Sequence, residues 1–271
     1  MNLKRQLLMV ALCFAMVANA QEVVQGLKLP RLTTGEREAM TASGNSFAKG
    51  QLIYNTTTNC LEYWNGDGWV SQCGEQKCGA FIAPGVWKEF MCYNLGVDNE
   101  SADPFEPGQV LHGAMHKWGV KNPALIAAQN VTNSGAVSGW TSITPPPPTT
   151  DDWDMTTANP CPAGYRVPTK EEWEGVIDNN GTWTPKGTFS NGATNWTAGV
   201  QIGDGLFLPA AGYRGDSDGT LTFRGYNGRY WSSTAFTMYG FSFSLGFSGS
   251  TQSTGEVSRS YGYSVRCIAN D

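Results

Sequence analysis

The 271-residue sequence is poor in the residue types that catalysis and nucleic-acid binding call on. It has two histidines, and only 15% of its residues are charged. Its 18 basic residues face 23 acidic ones, and nowhere do they gather into a basic run. An acidic chain without a basic stripe lacks the electrostatic footprint that phosphate backbones require, which excludes nucleic acid as a partner. No C-x2-C pair, HExxH, G-x-S-x-G elbow or phosphate-binding glycine loop occurs, so the common zinc and hydrolase templates fail and no catalytic activity is expected. His112 and His116 fall at i, i+4 in "HGAMH", but no third ligand joins them. After the first twenty residues no apolar run is long enough to cross a bilayer, so the chain is not expected to span a membrane.

What is present begins with an export signal. Lys4 and Arg5 precede an apolar stretch from Leu7 to Val17, and Ala18-Asn19-Ala20 forms an A-x-A cleavage site. Leu12 before Cys13 argues against lipid attachment. A secreted or cell-surface protein starting at Gln21 is expected, and loss of Lys4 and Arg5 takes the net charge from −5 to −7. Six cysteines then remain, an even number that reads as disulfides in an exported chain. In "NCLEYWNGDGWVSQC" the turn Asn65 to Gly68 pairs Trp64 with Trp69 and sets Glu62 opposite Ser71. That register sets Cys60 opposite Cys73. Cys78 and Cys92 close the next short loop, which leaves Cys161 for Cys267.

The 33 glycines and 10 tryptophans describe a loop-rich, β-containing chain with an aromatic core. Its organisation reads as a signal peptide over 1–20, a small β module over 21–77 and a main domain over 78–271. The module offers a capping box at Thr33 and Glu36, then a three-stranded meander. So few strands bury too little to stand comfortably alone, and self-association through this module is one expectation. In the main domain, "CPAGYRVPTKEEWEGV" predicts a short helix capped by Thr169 and Glu172, with Trp173, Val176 and Ile177 as its apolar stripe. Pro145–Pro148 reads as stiff polyproline. In "FSFSLGF", Phe241, Phe243, Leu245 and Phe247 alternate with small polar residues, which predicts one buried and one wet face.

Several ordered motifs carry a family resemblance. "NPCPAGYRVPTKEEW", "LFLPAAGYR", "YWSST" and "GYSVRCI", with "WKEFMCYNLGVDNESADPF" and "HKWGVKNP" before them, resemble the Fibrobacter succinogenes major paralogous (FISUMP) domain family over residues 78–271. The N-terminal stretch is similar to a small module that precedes such domains in Bacteroidetes surface proteins and resembles fibre-tip sequences. The resemblance implies a surface role with no established reaction. It also implies an α+β domain of C-type-lectin-like layout, with short helices on a twisted antiparallel sheet, long loops, and a disulfide tying the early helix to the last strand. Formylglycine-generating enzymes share that layout but use two reactive cysteines near the C-terminus, where this chain has Cys267 alone.

The leading functional expectation is a binding or adhesion module for an extracellular glycan or protein. The alternative is a structural or assembly subunit of a surface fibre or pilus tip, and a second alternative is an enzyme of the formylglycine-generating group. The candidate site joins Trp231, as a stacking ring, with Asp216, Asp218 and Arg229 as hydrogen-bonding groups. Asp204, Asp216 and Asp218 are candidate calcium ligands on loops, although Asp-Gly sequences also serve ordinary turns. Arg214-Gly215-Asp216-Ser217 contains the integrin-binding tripeptide, Arg-Gly-Asp, on an expected turn.

Overall fold

The computed structural model describes residues 29–58, 60–72, 78–97, 102–142, 151–238 and 240–270. The signal-like segment, Cys73 and the Pro145–Pro148 run lie outside them. The chain divides between Gln76 and Lys77 into two compact units.

The N-terminal unit holds β1 (Arg31–Leu32), α1 (Thr34–Ala42), β2 (Leu52–Asn55), β3 (Cys60–Trp64) and β4 (Trp69–Ser71). Thr33 Oγ1 accepts from the Glu36 amide at 3.2 Å, and Glu36 Oε2 accepts from the Thr33 amide at 2.8 Å, which closes the capping box at the start of α1. β2, β3 and β4 form an antiparallel meander, and β1 adds in parallel beside β2. Asn65 Oδ1 accepts from the amides of Asp67 and Gly68, both at 2.8 Å, which fixes the turn. Trp64 therefore sits opposite Trp69 and Glu62 opposite Ser71. Cys60 is disulfide-bonded.

The C-terminal unit opens with a hairpin of β5 (Gly79–Ala83) and β6 (Val86–Glu89), bracketed by the Cys78–Cys92 disulfide. A short helix α2 (Ala127–Thr132) follows, then β7 (Tyr165–Arg166) and α3 (Lys170–Asn179). The remaining strands are β8 (Trp183–Lys186), β9 (Gly199–Ile202), β10 (Leu206–Pro209), β11 (Tyr213–Arg214), β12 (Leu221–Thr222), β13 (Gly228–Ala235), β14 (Phe241–Phe247), β15 (Gln252–Ser258) and β16 (Ile268–Ala269). α3 carries the expected capping box of Thr169 and Glu172, and Trp173 and Val176 are fully buried. β16 pairs with β7 just ahead of α3, and Cys161–Cys267 staples that junction. One core gathers Phe90, Trp173, Leu208, Tyr230 and Leu245; a second holds Trp118, Trp153, Val167, Trp231 and Val265.

Two expectations are corrected. The α+β fold of C-type-lectin-like layout does not form: the described strands fall into six small sheets of two to four strands, and the α-helices have 9, 6 and 10 residues. The strands stop early because the sequence keeps interposing turns that need left-handed backbone. Gly212, at φ 68° between β10 and β11, is one such point, where an added Cβ would also meet the Thr222 carbonyl oxygen at 2.4 Å. The second correction concerns β14. Its serine side is not wet, since Ser242 and Ser244 are buried while Phe241 and Phe243 are only half-buried. β14 is the central strand of the β13–β14–β15 sheet, and Ser244 sits opposite Trp231 of the second core. Apolar residues cover both faces.

Candidate functional site

The structure does not bring the expected binding residues into one open site. Trp231 is fully buried on β13; its ring stacks on Tyr263 at 4.4 Å, and Nε1 donates to the His116 carbonyl at 2.7 Å. It has no free face for a ligand, because its side chain is part of the second core. Asp218 is exposed, and its carboxylate accepts from the Thr220 amide and hydroxyl, both at 2.9 Å; these bonds hold its pKa below the usual carboxylate value. That is turn chemistry. Asp216 is half-buried, with its carbonyl receiving the Trp140 indole N–H at 3.2 Å. Arg229 is half-buried and lies across Gly246 of the neighbouring strand. Asp204 stands apart, exposed on the β9–β10 turn. Among the described residues no group of three or more His, Cys, Asp or Glu side chains is placed to hold a metal, so Asp204, Asp216 and Asp218 are not gathered into one ligand set.

The adhesion tripeptide is likewise not presented. Arg214 is fully buried, with Nη2 donating to Asn130 Oδ1 at 2.8 Å and to the Asn133 carbonyl at 2.6 Å. Arg224 Nη2 donates to the Asn130 carbonyl at 2.8 Å, so two guanidinium groups converge on one asparagine. Burial, then the charge of Arg214, pushes the Arg224 pKa down to about 9. His112 and His116 are also core residues. Burial pushes them down to about 3 and about 4, with Arg224 as a second cause for His112.

The N-terminal unit presents a different kind of surface. In β2 and β3, residues alternate between two faces, and cross-strand partners share a face. One face carries Ile53, Asn55, Cys60 and Glu62, all buried. Its centre is polar: Glu62 accepts from Arg37 Nη1 at 2.9 Å and from Asn55 Nδ2 at 2.8 Å. The other face carries Leu52 opposite Tyr63, Tyr54 opposite Leu61, and Val70 beside Tyr63. All five are only half-buried, and the Arg31 guanidinium lies 4.7 Å over the Tyr54 ring. No residue of α1 is buried, so this unit's own helix adds little apolar core. An apolar, tyrosine-bearing sheet face left partly open is a surface fit for association. Its sequence signal was the i, i+2 spacing in "LIYN" and "CLEYW", which marks both faces and does not say which one a helix covers.

The comparisons with known proteins bear on this same segment. A family described as "Phage tail like trimerisation region" matches residues 16–83. The chain is similar to that family over most of the N-terminal unit and through the end of β5. No curated protein and no solved structure matches the chain. Among the described residues no helix is long and apolar enough to cross a membrane.

Proposed function

We propose that the chain is a self-associating assembly subunit of the cell exterior, in which the N-terminal module joins copies and the C-terminal unit is displayed. The observation that carries this reading is the half-open face of Leu52, Tyr54, Leu61, Tyr63 and Val70, lying within the stretch similar to a trimerisation region. Burying such a face against copies of itself would supply the apolar contact that a module with Ile53 and Cys60 as the buried apolar side chains among its described residues lacks alone. The leader-like N-terminus and the disulfides favour export. The motifs of residues 78–271 favour a FISUMP-type domain as the displayed part, the part that would meet an extracellular glycan or protein.

Sedimentation equilibrium on the chain starting at Gln21 tests the reading. The expected mass is three times that of the subunit, and Tyr54→Glu with Tyr63→Lys should reduce it to the monomer while circular dichroism stays unchanged. A wild-type chain that is monomeric at micromolar concentration overturns it.

A further inference from the structure

The β5–β6 hairpin, the C-terminal end of α3 and the β9–β10 turn enclose a cleft of about 490 Å³. That volume falls within the range of small-molecule sites, about 300–1,000 Å³. We propose that this cleft binds a neutral, hydroxyl-rich ligand of the carbohydrate class, with Trp87 and Phe81 as its apolar walls and Asp204 and Asn179 as its hydrogen-bond acceptors.

The rings come first. Phe81 and Trp87 are cross-strand partners on the hairpin, and each is 40% exposed. Two large aromatics on one outward face are costly to leave in water unless something covers them. Trp87 is also held in place. Its six-membered ring occupies the space that a side chain on Gly79 would need, with Cζ2 2.2 Å from where that Cβ would stand. Glycine at 79 thus seats the indole against the strand and keeps it presented, a rigid ring of the kind that loses little entropy on binding.

The walls around the rings are equally fixed. Asn180, which caps α3, accepts from the Phe81 amide at 2.9 Å and donates to the Phe81 carbonyl at 2.7 Å, clipping the helix end to β5. The Gly79 amide donates to the Gly205 carbonyl at 2.7 Å, and an added Cβ on Gly205 would lie 2.6 Å from the Gly79 oxygen. Two backbones meet there with no side chains between them. Gly203 is open on the same turn, so a ligand can approach bare peptide groups.

The polar groups decide the class. The Asp204 carboxylate is exposed, and it accepts no hydrogen bond among the described residues. Asn179 gives one of its two side-chain N–H groups to the Gly175 carbonyl at 2.7 Å, which leaves its oxygen to accept and its second N–H to donate. Among the described residues no Lys, Arg or His lines the cleft, so it offers an anionic ligand no cationic partner and repels it through Asp204. Exposed rings beside unpaired acceptors and uncovered backbone match a ligand with a C–H face and hydroxyl donors. A purely apolar ligand would use the rings and leave the acceptors idle. The site lies in the C-terminal unit, and its proposal does not depend on whether copies of the chain associate.

The test is binding of the exported chain to an array of neutral and anionic oligosaccharides, followed by titration calorimetry on the best neutral hit. Binding to neutral members and not to sulfated or sialylated ones is expected. Trp87→Ala should weaken binding about tenfold or more, and Trp87→Tyr should restore part of the loss. Asp204→Ala should weaken it less, with the fold intact by circular dichroism. Three results would overturn the proposal: no neutral oligosaccharide binds, Trp87→Ala binds as wild type, or Trp87→Ala lowers the mass of the assembly. The last would make Phe81 and Trp87 a contact between copies. A monomeric wild type that still binds sugar would reject the assembly reading and leave this site standing.

Discussion

At the scale of single residues, the polar groups that looked available for chemistry are mostly committed to the core. His112 and His116 fill space inside it. Both have folded pKa values below the ordinary 6.5, at about 3 and about 4, because burial disfavours the imidazolium. In the unfolded chain they take up protons as pH falls below about 6.5, while in the folded chain they do not, so stability is full above that value and declines as pH drops toward 4. Together they should cost about 3 kcal/mol between pH 6.5 and 5. Urea denaturation at the two pH values measures this, and replacing both histidines by phenylalanine should flatten the dependence. Arg214 is a second instance. A charged residue in a loop sequence usually faces water, yet Asn130 and the Asn133 carbonyl draw this one inside. No local rule reveals that, because the acceptors lie some eighty residues away in the chain.

At the scale of elements, caps and turns behaved as local chemistry dictates. Thr33 with Glu36 and Thr169 with Glu172 both close capping boxes, and the Asn65–Gly68 turn sets the register of its hairpin. Burial of faces did not follow local pattern. The alternation in β14 was real, but neither face is left to water along its length: Leu245 and Phe247 pack into the first core, and Ser244 lies opposite Trp231 of the second. The junction of α3 with β5 shows the same dependence on context. Gly175 is a poor helix former, and replacing glycine by alanine inside an exposed helix gains about 1 kcal/mol. Here a Cβ would stand 1.7 Å from the Ile82 carbonyl oxygen, so Gly175→Ala should instead destabilise by about 2–3 kcal/mol as β5 is forced away. A denaturant midpoint that rises would show that the helix does not lie so close.

At the scale of the whole molecule, two covalent staples of different reach hold the C-terminal unit. Cys161 and Cys267 are 106 residues apart in sequence, and Cys78 and Cys92 are 14 apart. In the chain-entropy picture the longer closure removes more freedom from the unfolded chain, about 4–5 kcal/mol against about 3. The Cys161→Ser/Cys267→Ser variant should therefore lose more stability in chemical denaturation than Cys78→Ser/Cys92→Ser. Among its described residues the N-terminal unit has a small buried interior, and two of the four buried side chains, Asn55 and Glu62, are polar. Such a unit is a poor candidate for independence, which is why its open sheet face is read as a contact between copies.

The sequence by itself determined what depends on near neighbours: the capped helices, the meander and its register, and the cysteine pairs Cys78–Cys92 and Cys161–Cys267. These follow from turn residues, capping side chains and spacing, whose energetics act within a few residues or, for the cysteines, within a small set of pairings. Only the tertiary structure decided which side chains have water beside them. Trp231, the stacking ring the sequence suggested, is buried in the second core against Tyr263, while Trp87, which the sequence did not single out, stands 40% exposed over Gly79. Both are tryptophans in β-strands with small residues nearby. Exposure is a property of what the rest of the chain brings alongside, and that is settled by contacts distant in sequence.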